Sequence, residues 1–204
     1  MKLNELRDTS FEIAKSLGWH DPDFDKATFD DRMALVISEL SEALEEHRKG
    51  KPPAQIEYVR AGEIVALYQG GTPLMATDAT PSFLIGSGCK PEGIIIELGD
   101  AVIRIGDAAG KHALDLGTVT VASLFVQDES DPKSFGGWFC RASHELAEAA
   151  RTNVLRSACM LEALCTICGW AYWLGISGEE FERAIEIKHA YNRTRPFRHG
   201  GKLL

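Results

Sequence analysis

The chain has 204 residues, 45% of them hydrophobic and 25% charged, a balance that supports a packed core and excludes a disordered or fibrous polypeptide. Its formal net charge of −8 excludes stable wrapping of nucleic acid, which draws its affinity from many Lys and Arg contacts to phosphates, although an acidic protein can still hold phosphate groups locally. The five cysteines are odd in number and four of them fall from Cys140 to Cys168; this does not read as a disulfide framework, and the reducing cytoplasm is the expected compartment.

The first element is an amphipathic helix over Leu3 to Leu17, ended by Gly18, whose Lys2, Glu5, Arg7 and Asp8 no signal-peptide core would tolerate. Trp19-His20-Asp21-Pro22 reads as a turn into a loop. Asp30 or Asp31 can cap a second helix that runs to about Lys49 and is stopped by Gly50 and Pro52-Pro53. The segment 51–90, rich in Gly, Pro and Thr, has short apolar runs at Glu63 to Tyr68 and Pro73 to Ala76; it reads as an insertion, either a β-hairpin arm or an ordered loop. A third helix is expected from Pro91 to Gly110, with Pro91 and Glu92 in its first turn.

Asp115 to Glu129 stays open between helix and strand, and a loop from Asp128 to Gly137 follows. The second half carries a helix over about Trp138 to Arg156, an apolar helix to Leu174, and a last helix over Ser177 to Asn192 that opens on the capping box Ser177/Glu180. Ala158 to Ile176 is nearly long enough for a membrane span but contains Glu162 and has basic flanks on one side only, so a buried bundle member is expected and no membrane partner. The expected architecture is all-α: a single helical bundle over 1–204. Ser38-Glu39-Leu40-Ser41-Glu42-Ala43 is echoed by His144-Glu145-Leu146-Ala147-Glu148-Ala149, which suggests a duplicated helical hairpin. In the second copy Cys165 stands where the first has Asp100, so that copy could not hold a metal in the same way.

The chemistry-bearing signal is a pair of acidic motifs, Glu39-x-x-Glu42 on the second helix and Glu97-x-x-Asp100 on the third; residues three apart share a helix face. Relative to Glu39, the residues Val36, Leu40, Ala43 and His47 occupy the same angular offsets that Ile94, Leu98, Ala101 and Ile105 occupy relative to Glu97. If those stripes pack together, four carboxylates converge on one edge. Such a cluster repels itself unless a hard divalent ion relieves it, and Mg²⁺ also accepts substrate phosphates, with Mn²⁺ as a substitute. The alternative is two solvated acidic faces. The stretch from Lys188 to Lys202 has no acidic residue, and Lys188, Asn192 and Arg195 recur at helical spacing, a face suited to phosphate; its alternative is a basic tail left in solvent.

Taken in order, Lys15-Ser16-Leu17-Gly18-Trp19-His20, the block from Ser38 to Glu46, Lys90 to Ile94, Glu97 to Ile105 and Lys188 to Lys202 resemble the MazG-like nucleoside triphosphate pyrophosphohydrolases over about half the chain. The resemblance implies a helical bundle, Mg²⁺, and hydrolysis of a nucleoside triphosphate, a deoxynucleotide or non-canonical one, to the monophosphate and pyrophosphate. It also implies a homodimer or higher homo-oligomer. Carried over, Glu39, Glu42, Glu97 and Asp100 look like metal ligands, Lys188, Asn192 and Arg195 like phosphate or sugar contacts, and Trp19 and His20 like the border of a base pocket. The sequence departs from the family's pattern at Ser38, where many relatives have a further Glu, so that Glu46 is a candidate to supply the missing ligand or base. The connection from Glu42 to Glu97 and the stretch before Lys188 are also longer than usual; the second half could replace a partner subunit's contribution.

Other residues have plainer readings. Cys165-x-x-Cys168 lacks a second pair at zinc spacing and reads as structural, and Trp170, Tyr172 and Trp173 read as core or interface. His144, His189 and His199 receive no chemical role. A carboxylate-bridged di-iron bundle would need Glu-x-x-His on two helices, and only Glu186-x-x-His189 fits. A degenerate module that binds nucleotide or a protein without turnover is the non-enzymatic alternative.

Overall fold

A computed structural model describes residues 1–75 and 78–198. Its centre is a helix, α4 (Ile94–Lys111), apolar enough to be buried around nearly its whole circumference. Around it pack α1 (Leu3–Ser16), α2 (Phe29–Arg48), α6 (Arg156–Trp173) and α7 (Gly178–Arg193), while α5 (Phe135–Arg151) covers α2 and α6. The fold is therefore mostly helical, and His199, like the rest of 199–204, lies outside the described residues.

The expected helices form, with local corrections at their ends. The start of α2 is set by Thr28, not by Asp30 or Asp31: the Asp31 N–H donates to the Thr28 hydroxyl, and the Asp31 carboxylate accepts the Thr28 N–H at 2.8 Å. Asp30 and Asp31 then serve as first-turn acids on the helix dipole. In α5 the Ser134 hydroxyl accepts the Gly137 N–H, so the helix begins at Phe135, and it ends at Arg151, short of the expected Arg156. The capping box at Ser177 and Glu180 forms as expected. The open stretch 115–129 resolves into one bridge, Lys2 to Thr120, and a 3-10 turn over Val121–Leu124.

The insertion is β-structured and tied to the core. Strands β1 (Gln55–Arg60), β2 (Glu63–Gln69), β3 (Thr72–Pro73) and β4 (Lys90–Glu92) make an antiparallel sheet in the order β3-β2-β1-β4, with a short helix α3 (Pro81–Gly86) before β4. Pro91 and Glu92 thus belong to β4 and not to the first turn of α4. Pro91 is tolerated because β4 is an edge strand, where a missing N–H costs no ladder bond. Gly93 follows at φ +131, and a Cβ there would stand 2.4 Å from the Gln55 carbonyl oxygen, so only glycine lets the chain pass from the sheet into α4. The sheet consequently fixes where α4 begins, and with it the height of Glu97 and Asp100.

The echoed segments fall on α2 and α5. Each helix packs against the one that follows it in the pattern, α2 on α4 and α5 on α6, and α2 faces α5. Among the described residues no single helix is long and apolar enough to cross a membrane, and α6 with α7 reaches that length only as a pair bent by 115°. Met160, Leu164, Ile167 and Trp170 of α6 are fully buried in the bundle.

Candidate metal centre and substrate cleft

The stripes that flank the acidic motifs do pack: Val36, Leu40 and Ala43 on α2 and Ile94, Leu98, Ala101 and Ile105 on α4 are all 0% exposed. Their burial forces the adjoining carboxylates together. Glu39, Glu97 and Asp100 are buried, and one oxygen of each lies within 4.8 Å of the others, an arrangement able to hold a metal ion. Glu42 does not join this trio; it is exposed and stands in the wall of the adjoining cleft. The expected fourfold convergence is therefore a threefold one with Glu42 at its rim.

Two protein cations reach into the cluster. Lys188 on α7 is only 3% exposed, and its Nζ lies 3.1 Å from Asp100 Oδ2 and 3.4 Å from Glu97 Oε2. Arg104, one turn beyond Asp100 on α4, donates from Nε to Glu39 Oε1 at 2.5 Å. Burial raises the Glu97 carboxyl to about 7, with Lys188 holding it down and Asp100 pushing it further up. Burial and the Asp100 charge likewise raise Glu39. Asp100 goes the other way: burial would raise it, but Lys188 and Arg104 together hold it below the ordinary aspartate value. Three carboxylates against these two cations leave one negative charge in a dry site when all are ionised. A hard divalent ion with oxygen ligands suits that donor set.

Two members of the trio, Glu39 and Asp100, line a cleft of about 310 Å³, within the size range of small-molecule sites, and Glu97 lies behind them, outside its lining. Ile13 and Ala14 of α1, Leu17 just past its end, Leu35 of α2, Ile103 of α4 and Trp19 give it an apolar wall, and Ser38, Glu39, Glu42, Asp100 and Arg104 give it polar lining. Asn192 and Arg195 line it from the α7 side, and Asn192 Oδ1 and Arg195 Nε are buried with no hydrogen-bond partner among the described residues. Such atoms normally find a partner, so a ligand is a natural one. Lys188, one turn before Asn192, is turned into the carboxylates and is not part of the cleft lining.

Trp19 and His20 separate. Trp19 lines the cleft, whereas the His20 ring is buried behind it, with Nδ1 3.2 Å from Asp25 and Nε2 2.6 Å from Asp107. Asp25 is the hub of this brace: Arg32 donates to both its oxygens at 2.7 Å, and Lys111 lies 2.8 Å away. Burial would raise Asp25, but Lys111, His20 and Arg32 bring it down to about 2. The brace fixes the loop that presents Trp19. From the far side, Phe197 lies where a Gly18 side chain would be, and Arg198 pairs with Asp21 at 2.6 Å.

Glu46 stands apart from the trio, a correction to its expected role as replacement ligand or base. It is paired with Lys49 at 2.6 Å and with Lys51, which also binds Glu57 at 2.7 Å. Burial would raise Glu46, but these lysines lower it. The di-iron motif does not assemble either: Glu186 is exposed, while His189 is buried with Nε2 3.0 Å from the Ser10 hydroxyl. Burial and Arg193 press the His189 pKa down to about 4, so its ring is neutral near pH 7.

Four titratable cleft residues are given no role by the sequence: Arg32, Arg104, Asp107 and His189. A seven-residue offset was the available signal for two of them, since Arg32 precedes Glu39 and Asp107 follows Asp100 by two helical turns on the same face. No protein-family model, curated protein or solved structure matches the chain.

Proposed function

We propose that this protein is a Mg²⁺-dependent nucleoside triphosphate pyrophosphohydrolase of the MazG-like kind, which converts a nucleoside triphosphate and water to the monophosphate and pyrophosphate. The observation that carries the reading is the joining of two unlike surfaces in one cleft: Glu39 and Asp100, the two members of the buried carboxylate trio that line it, and an apolar wall that includes Trp19. A polyanion alone would be repelled by Glu39, Glu97 and Asp100, and an apolar ligand alone would not need them. A nucleotide uses both. A deoxynucleotide or non-canonical nucleotide is the proposed substrate class, on the resemblance alone.

Glu39, Glu97 and Asp100 would hold the ion, Mg²⁺ or Mn²⁺ in its place, and Glu42 could complete its coordination. Held there, such an ion would supply Lewis-acid chemistry and offset the charge of the phosphates. The protein's own groups do the rest. Arg195 and Asn192 present an unpaired guanidinium N–H and an unpaired amide oxygen to the phosphates and the sugar. Trp19, with Ile13, Leu17 and Ile103, supplies a flat and an apolar face for the base. Glu42, exposed in the cleft wall and outside the tight trio, takes the proton from the attacking water. The water oxygen bonds to the α-phosphorus, the bond from that phosphorus to the β-bridging oxygen breaks, and the electron pair leaves with pyrophosphate. The choice of that bond follows the resemblance. A homo-oligomer is part of the same proposal.

A panel of common and modified nucleoside triphosphates, assayed for pyrophosphate with and without Mg²⁺, tests this directly. Metal-dependent pyrophosphate release that is lost in a folded Asp100→Asn variant is expected. Nucleotide binding with no turnover for any member of the panel would leave only a binding module.

A further inference from the structure

We propose that Lys188 is the protein's built-in place-holder for the divalent ion, so that the metal and the Lys188 ammonium compete for the same carboxylate oxygens. This rests on the reading of Glu39, Glu97 and Asp100 as metal ligands. Lys188 Nζ lies 3.1 Å from Asp100 and 3.4 Å from Glu97, two of the three residues whose oxygens could surround an ion. The side chain is 3% exposed and outside the cleft lining, so in this arrangement it meets carboxylates and not a substrate. A solvent-facing phosphate-binding lysine would stand the other way round. Asn192, one turn on along the same helix, and Arg195, just beyond its end at Arg193, do line the cleft.

Carboxylates brought this close without any cation would repel one another in a poorly solvated site, and an unpaired buried charge is strongly destabilising. Lys188 supplies the missing charge from α7 and so lets α2, α4 and α7 pack before any metal arrives. A divalent ion brings twice the charge to the same oxygens. As it takes over Glu97 and Asp100, the ammonium loses its partners and is left one helical turn from Asn192, which lines the cleft beside Arg195, the proposed place of the phosphates. Metal loading would thereby release a cation for the polyanionic substrate, and by linkage the substrate would favour the metal-loaded form.

The test compares wild type with Lys188→Met in the absence of nucleotide, reading Mn²⁺ binding by the free-ion paramagnetic resonance signal and melting with chelator or with saturating Mn²⁺. Removing a competing charge a few ångströms from the ion should tighten Mn²⁺ binding by about tenfold or more. The variant should melt well below wild type in chelator and recover most of the difference in Mn²⁺. Unchanged or weaker Mn²⁺ affinity overturns the place-holder role, as does a variant that stays unfolded in saturating Mn²⁺, because the ion should then stand in for the ammonium. If wild type binds Mn²⁺ and the variant binds it equally, only this inference fails. If neither protein binds it, the metal reading fails as well.

Discussion

Replacing Glu97 with Gln should change the pH dependence of stability in the metal-free protein in a direction set by two buried groups. The Glu97 pKa rises from 4.5 to about 7 on folding, through burial and the Asp100 charge against the pull of Lys188. A raised pKa means that the folded state holds the proton more tightly. The associated stability is full below pH 4.5 and is lost as pH climbs through about 7. At ~1.4 kcal/mol per pH unit this is on the order of 3 kcal/mol. His189 acts in the opposite sense, falling from 6.5 to about 4 through burial and Arg193, so its contribution is full above pH 6.5 and is lost as pH drops toward 4. Between pH 4.5 and 6.5 these two contributions have opposite slopes in wild type. Glu97→Gln removes one of them. Its stability should then rise by about 2 to 3 kcal/mol across that window, which for a chain of this size is a gain of about 5 to 10 °C in Tm relative to the flatter wild-type profile. Thermal melts followed by circular dichroism in chelator, at pH values from about 4.5 to 6.5, read this out. Parallel profiles for the two proteins would refute the assignment of a buried, proton-holding carboxyl at Glu97.

Three further substitutions separate the site from its supports. Glu46→Gln should leave kcat/KM within about twofold of wild type while lowering stability by about 1 to 3 kcal/mol in urea titration, because it removes the partner of Lys49 but leaves Lys51 on Glu57. Trp19→Ala should raise KM by about tenfold, with a smaller effect on kcat and little change in Tm, since a lost ring contact with a base is worth about 1 to 1.5 kcal/mol. Gly93→Ala should lower Tm by roughly 6 °C or more, through a φ of +131 and a Cβ pressed against the Gln55 carbonyl. A melting temperature equal to wild type would mean that the sheet does not set the start of α4.

Much of the centre could be read in the sequence because it is local to two helices. The equal offsets of apolar residues around Glu39 and Glu97 are a property of helical spacing, and packing those stripes left the carboxylates few other places to go. Angle alone could not say which carboxylates are near enough in height. Glu46 shares a face with Glu39 but lies two turns further on, about 10 Å along the axis, where Lys49, Lys51 and the insertion take it up. The sequence reading of Pro91 as a first-turn residue fails for a physical reason, since a missing N–H suits an edge strand as well as the first turn of a helix. The turn of Lys188 into the acids and the His20-Asp107 bond depend on contacts between residues 88 and 87 positions apart, for Lys188 with Asp100 and for His20 with Asp107. No local pattern carries such pairings. Arg104 was in plain view beside Asp100, yet nothing in the sequence told that its guanidinium faces Glu39 across the helix interface.

The proposed function requires α2 and α4 to grip one divalent cation between Glu39, Glu97 and Asp100. Crystals grown with Mn²⁺ and measured for anomalous scattering test it most directly. A single strong peak is expected, with an oxygen from each of these three residues at about 2.1 Å, the distance typical of a small hard cation. Anomalous density elsewhere on the protein, with Lys188 still bridging Glu97 and Asp100 and no peak between the helices, would contradict it.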